Sequence, residues 1–132
     1  MRVVYVDNNA TTKVAEEVVE AMLPYFTQSY GNPSSMHTFG GRVAKQIEEA
    51  RERVADFLGA IPSEIVFTSC GTESDNAAIM GTLECYPEKR HIITSRVEHP
   101  AVLTLCKNLQ KRGYKITFLP VDNKGNLDLN LL

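Results

Sequence analysis

The sequence predicts an α/β chain: a β-α-β-α-β run of mainly parallel strands, preceded by two helices. Three observations predict it. Short apolar runs at Ile65 to Thr68, His91 to Thr94 and Lys115 to Leu119 alternate with longer segments of helical periodicity. Pro87 and Gly113 close those helical segments just before the next strand begins. With 132 residues, 43% of them hydrophobic, the chain is of one-domain length and can bury roughly 65% of its unfolded surface. In a compact domain such alternation means parallel strands joined by right-handed crossovers, with helices covering the sheet.

The elements follow in order. Val3 to Asp7 is a short apolar run that stops at Asn8-Asn9. From Thr12, the residues Val14, Val18, Val19, Met22, Leu23 and Phe26 recur at helical spacing and predict an amphipathic first helix. "SYGNPSSMHTFGG", Ser29 to Gly41, has the composition of a loop. Val43, Ile47, Ala50, Val54 and Phe57 then mark a second helix, with charged residues between them and Gly59 placed to end it. After the strand at Ile65 come a helix over about Glu73 to Tyr86, the strand at His91, a helix over about Pro100 to Arg112 and the strand at Lys115. "DNKG", Asp122 to Gly125, is a turn, and "LDLNLL" is the start of a further helix.

Composition narrows the function. With 14 Lys and Arg against 16 Asp and Glu, for a formal charge of −2, nothing points to nucleic acid or to a membrane surface. No stretch approaches the roughly 20 apolar residues of a membrane span, and "MRVVYVDNNATT" lacks the apolar core of a signal peptide. Cys70, Cys85 and Cys106 are widely spaced and odd in number, which fits a reducing compartment and a cytoplasmic protein. Asn9-Ala10-Thr11 matches a glycosylation acceptor, but no secretion signal accompanies it.

Two stretches carry candidate chemistry. In "FTSCGTESDNAAI" an apolar run passes through small residues straight into a helix, which is how a strand, a turn and a helix N-terminus form an anion cradle. Gly71 allows close backbone approach; Thr72 suits an N-cap, and its hydroxyl suits a phosphate oxygen equally. Glu73 and Asp75 read as first-turn acids favoured by the helix dipole. In "TSRVEHPAVL" His99 precedes Pro100, a favoured first helical residue, so the imidazole stands at the carboxyl end of a strand, the edge where open α/β sheets bind ligands. Phe67 to Thr72 leaves the preceding strand at the same edge, so Gly71, Thr72 and His99 converge if those strands are near neighbours. Alone, His99 reads equally as a capping or surface residue. Glu98 is either an orienting partner for the imidazole or a solvated charge, and Cys70 either a thiol of depressed pKa or a small packed one. His91, His99 and Cys106 lack the short paired spacing of a zinc site, so no metal is expected.

The blocks "YVDNNATT", "YGNPSSMHTFG", "SEIVFTSCGTESDNAAI", "HIITSRVEHPAVL" and "VDNKGNLDL" occur together in one order, and with them essentially the whole chain resembles the cysteine desulfurases of the nitrogen-fixation (NifS) type, within the class V aminotransferase family. The resemblance implies a piece of a fold-type I transferase dependent on pyridoxal 5'-phosphate (PLP). Residues 1–30 would form an N-terminal lead-in with the first helix, and residues 31–132 the beginning of the PLP-binding large domain. The implied reaction takes sulfur from L-cysteine, leaving L-alanine and an enzyme persulfide for iron-sulfur cluster assembly, with a scaffold or sulfur-acceptor protein as partner and a homodimer as the assembly. It implies that Gly71 and Thr72 hold the cofactor phosphate, that His99 stacks on the pyridine ring and takes part in proton transfer, and that Asn8, Ala10 and Thr11 line the substrate side.

One departure qualifies that picture. The family's Schiff-base lysine lies in a Ser-x-His-Lys segment and its sulfur-accepting cysteine in a Ser- and Gly-rich loop; neither context occurs here. The expectation is therefore an N-terminal portion, inactive alone, of an active parent enzyme. A selenocysteine lyase or another class V aminotransferase would share the cofactor residues, and a non-catalytic α/β module binding a phosphate-bearing ligand is the reading from a different class. A piece largely disordered when isolated is a third outcome.

Overall fold

A computed structural model describes residues 3–132 of the chain. Contacts group it into two compact units, one ending at Val66 and the other beginning at Phe67.

The first unit holds helices α1 (Glu16–Thr27) and α2 (Thr38–Leu58) and a short 3-10 turn, Pro62–Glu64. α1 has the predicted apolar spacing but buries none of its residues, and Leu23 and Phe26 are more than half exposed. α2 buries Val43 and Ala55. It also begins inside the stretch expected to be loop, because the glycine there answers to crowding. A Cβ on Gly40 would stand 2.5 Å from the Asn32 carbonyl oxygen and 2.8 Å from Ser35 Cβ, so this turn of helix needs glycine for close approach. His37 Nδ1 accepts the Gly40 amide at 3.2 Å and serves as the N-cap. Gly59 ends α2 as expected, at φ 68°, with the Ala60 amide donating back to Ala55 O and the Gly59 amide to Asp56 O, the paired bonds of a Schellman motif. Arg51 Nη1 donates to Ile65 O at 2.6 Å and ties α2 to the chain after the 3-10 turn.

The second unit is a β-α-β crossover with one further helix in front of it: α3 (Gly71–Cys85), β1 (His91–Ser95), α4 (Pro100–Lys111) and β2 (Lys115–Leu119). β1 and β2 pair in parallel, from His91 opposite Lys115 to Ser95 opposite Leu119. The Lys115 amide to Arg90 O and the Arg96 amide to Leu119 O carry the ladder one step past each end. The strand expected over Ile65 to Thr68 is not formed among the described residues. Ile65 is extended, at φ −96° and ψ 122°, but this segment pairs with neither β1 nor β2. An apolar run makes a strand only when another strand takes up its backbone groups. The α/β class holds, with two parallel strands in place of three.

Leu83, Cys106, Leu109 and Leu119 are buried, bringing together α3, α4 and β2, with Cys106 and Leu109 fully enclosed. α4 ends in a second Schellman motif, with Gly113 at φ 87°, Tyr114 N donating to Leu109 O and Gly113 N to Gln110 O. Val121 bridges Leu127 around the Asp122 turn, where Asp122 Oδ1 accepts the amides of Lys124 and Asn126 at 2.8 and 2.9 Å. The last element is a single 3-10 turn, Leu129–Leu131.

Candidate functional site

α3 and α4 pack on one another, and residues of both line one open cleft of about 410 Å³. Thr72 and Asn76 come from α3; His99, Pro100, Ala101, Thr104, Leu105 and Asn108 come from α4. Thr72 and His99 are thus brought together although the strand expected before α3 is absent. Gly71 adjoins Thr72 as the first residue of α3 without lining the cleft itself. Asn8, Ala10 and Thr11 belong to the first unit, where the Ala10 and Thr11 amides donate to Asp7 O at 3.1 and 3.5 Å and form an exposed turn.

The start of α3 differs from the expected cap. Cys70 occupies the N-cap position with no side-chain capping bond, and Thr72 lies two residues further in. The hydroxyl of Thr72 is therefore not used to cap its own helix. Glu73 does the local tying instead: its Oε2 accepts both the Ser69 amide and the Ser69 hydroxyl at 2.6 Å. Those two donors hold the Glu73 carboxyl below the usual carboxylate range. The Glu73 amide, then the Ser69 hydroxyl and the Thr72 amide, hold the exposed Cys70 thiol below its ordinary value, against an opposing push from the Glu73 charge. The first-turn amides of α3 thus already stabilise negative charge at one atom of the chain.

Gly71 has no internal explanation. A Cβ built on it meets nothing within 4 Å, and its φ is not positive. Neither crowding nor backbone geometry among the described residues requires glycine at this first position of α3. Open space at a glycine beside exposed helix amides is the geometry a bound anion uses.

His99 is the N-cap of α4, and its Nδ1 accepts the Ala101 amide at 3.2 Å. Pro100 has no N–H, so the Ala101 amide is the first one the helix offers. Glu98 does not orient the ring. Its Oε1 accepts the Ser95 hydroxyl at 2.9 Å, and Ser95 Oγ in turn accepts the Val97 amide at 3.3 Å. Burial, and secondarily the Glu98 charge, pushes the Cys106 thiol up, so this cysteine is a packed core thiol. His91 pairs with the Thr117 hydroxyl at 2.8 Å across the two strands.

Asn76, Thr104 and Asn108 join the cleft without belonging to either motif stretch's candidate residues. A signal for them existed: Asn76 follows Thr72, and Asn108 follows Thr104, by the four residues that put side chains on one helix face. Asn76 Nδ2 donates to Thr72 O at 2.7 Å. Besides His99 the cleft lining carries no ionisable side chain, so an anionic ligand there would meet amides, hydroxyls and carboxamides.

Parallel strands with helices packed beside them, and a cleft lined from two of those helices, define an α/β protein. The Aminotransferase class-V family model matches residues 4–132, and the chain belongs to that family. It is 64% identical over 132 residues to a cysteine desulfurase of Trichormus azollae, covering all of this chain and 33% of that protein. Among solved structures, a NifS-like protein superposes with a TM-score of 0.86 at 45% identity, over 93% of this chain and 34% of the other. A structure titled SspA in complex with cysteine superposes with a TM-score of 0.76 at 44% identity, over 83% and 32%. The chain spans about a third of the length of the relatives it matches.

Proposed function

We propose that this chain is the N-terminal portion of a PLP-dependent cysteine desulfurase, which takes sulfur from L-cysteine and leaves L-alanine and an enzyme persulfide destined for iron-sulfur cluster assembly. The observation that carries the reading is the meeting of Thr72 and His99, from two different helices, in one cleft. The relatives named cysteine desulfurase and NifS-like support the reaction, and the cysteine in the SspA title supports the substrate. In this reading residues 1–30 are the lead-in and first helix, and residues 31–132 begin the cofactor-binding domain. A cytoplasmic homodimer, a sulfur-acceptor or scaffold protein as partner, and a role in nitrogen fixation belong to the same proposal.

The residues present fit the cofactor. PLP supplies an electron sink anchored by a phosphate dianion. The amides of Gly71 and Thr72 and the Thr72 hydroxyl, with open space at Gly71, would hold that phosphate at the positive end of α3. His99 would lie against the pyridine ring and hold a proton at a ring nitrogen. Asn8, Ala10 and Thr11 would line the substrate side. The lysine that bonds the cofactor and the cysteine that carries sulfur are assigned to the part of the parent that this chain does not include.

The test is made on the full-length parent. Purified protein should carry the violet absorbance of bound PLP and convert L-cysteine to stoichiometric alanine and sulfur. A parent with neither overturns the assignment, while bound PLP and faster turnover of selenocysteine would assign a selenocysteine lyase instead.

A further inference from the structure

The bond between His99 Nδ1 and the Ala101 amide restricts more than the ring's orientation. A nitrogen that accepts a hydrogen bond carries no proton, so the neutral imidazole must have its hydrogen on Nε2. The Nδ1–H tautomer would set one N–H against another. Pro100 sharpens the restriction, because without an amide of its own it leaves Ala101 as the nearest backbone donor. Among the described residues that line the cleft none is a carboxylate that could compete for the ring, and Glu98 is engaged by Ser95.

We infer that the N-cap of α4 locks His99 in the Nε2–H tautomer, so that the ring meets the ligand of the α3–α4 cleft as a neutral hydrogen-bond donor through Nε2. Ala101, through its amide, and Pro100, through its missing one, are positioning residues for this imidazole. This deepens the assignment of His99 in the proposed function and rests on that reading for the identity of the ligand, but not for the tautomer. His37 provides an internal reference. It caps α2 through the same atom, accepting from Gly40 at 3.2 Å.

The experiment is nitrogen-15 NMR of the histidine rings in the full-length protein labelled only at histidine, at a pH where the rings are neutral. Signals are assigned by His37→Asn and His99→Asn. Both rings should give the Nε2–H pattern. In His99→Ala, amide exchange at Ala101 should quicken about fivefold, the loss expected of a cap worth about 1 kcal/mol. His99→Asn supplies another cap oxygen and should restore slow exchange. An Nδ1–H ring or an even mixture of tautomers at His99 overturns the proposal, as does Ala101 exchange unchanged in His99→Ala. The tautomer is read with or without PLP, so failure to bind PLP would sink the proposed function and leave this result standing.

Discussion

α2 and α3 begin in opposite ways. α2 starts with a side-chain cap, His37 accepting the Gly40 amide, and with Gly40 wedged against Asn32 and Ser35. α3 starts with no side-chain cap on its first turn, a glycine facing open space, and a threonine hydroxyl left unused for capping. Both starts contain glycine followed by small or polar residues, and composition does not separate them. What separates them is what a side chain would meet. At Gly40 a Cβ would meet the protein's own backbone; at Gly71, as at Gly41 and Gly81, it would meet open space, which leaves room for a ligand at the start of α3. A helix start without a side-chain cap keeps amides that can meet an anion, whether the Cys70 thiolate or a ligand.

Substitutions at the two glycines test that contrast. Gly40→Ala should have the largest effect, because the new methyl meets backbone oxygens of Asn32 and Ser35 that cannot swing aside; a loss of about 1–3 kcal/mol is expected, visible as a lower denaturant midpoint. Gly71→Ala should do the reverse, raising stability by about 0.4–1 kcal/mol while weakening PLP binding in the parent protein. A Gly71→Ala variant that is destabilised would mean that the site is closed in the fold after all.

The smallest effect concerns Glu73 and Cys70. The Glu73 carboxyl is held low by Ser69, so its support of this turn is present above the ordinary carboxylate range and disappears as pH falls through the depressed value. Its charge also opposes ionisation of Cys70. Glu73→Gln should therefore raise the thiolate fraction of Cys70, and pH-dependent alkylation should speed up at Cys70 relative to the exposed Cys85. Slower alkylation would show that the carboxylate helps hold the turn that stabilises the thiolate.

The sequence is most legible where the controlling interaction is local. Pro100 and Gly113 bracket α4, Gly59 ends α2, and Lys115 to Leu119 is a strand with the expected limits, because caps, left-handed glycines and short apolar runs act over a few residues. It is least legible where a partner lies far along the chain. Ile65 to Thr68 has strand composition but, among the described residues, does not join the β1–β2 sheet. The crowding that makes Gly40 necessary comes from Asn32 and Ser35 folding back over the helix start, so a Gly-rich stretch read as loop is partly helix. At the cleft, Thr72 and His99 were expected to converge only if the strands before them were near neighbours; they share a lining although the first of those strands is not formed among the described residues. That Thr72 is not the cap, that Glu98 turns to Ser95, and that Asn76 and Asn108 join the lining were not readable, since each depends on where a helix begins by one or two residues.

The central claim is that the open start of α3 receives a phosphate. The direct measurement compares PLP with pyridoxal, its phosphate-free form, in the full-length protein and in Thr72→Val, which keeps the side-chain shape and removes only the hydroxyl. The phosphate claim predicts that Thr72→Val weakens PLP about tenfold or more, the value of one charge-assisted hydrogen bond of about 1.5 kcal/mol, and leaves pyridoxal binding unchanged. Equal effects on both ligands, or none on either, would contradict it.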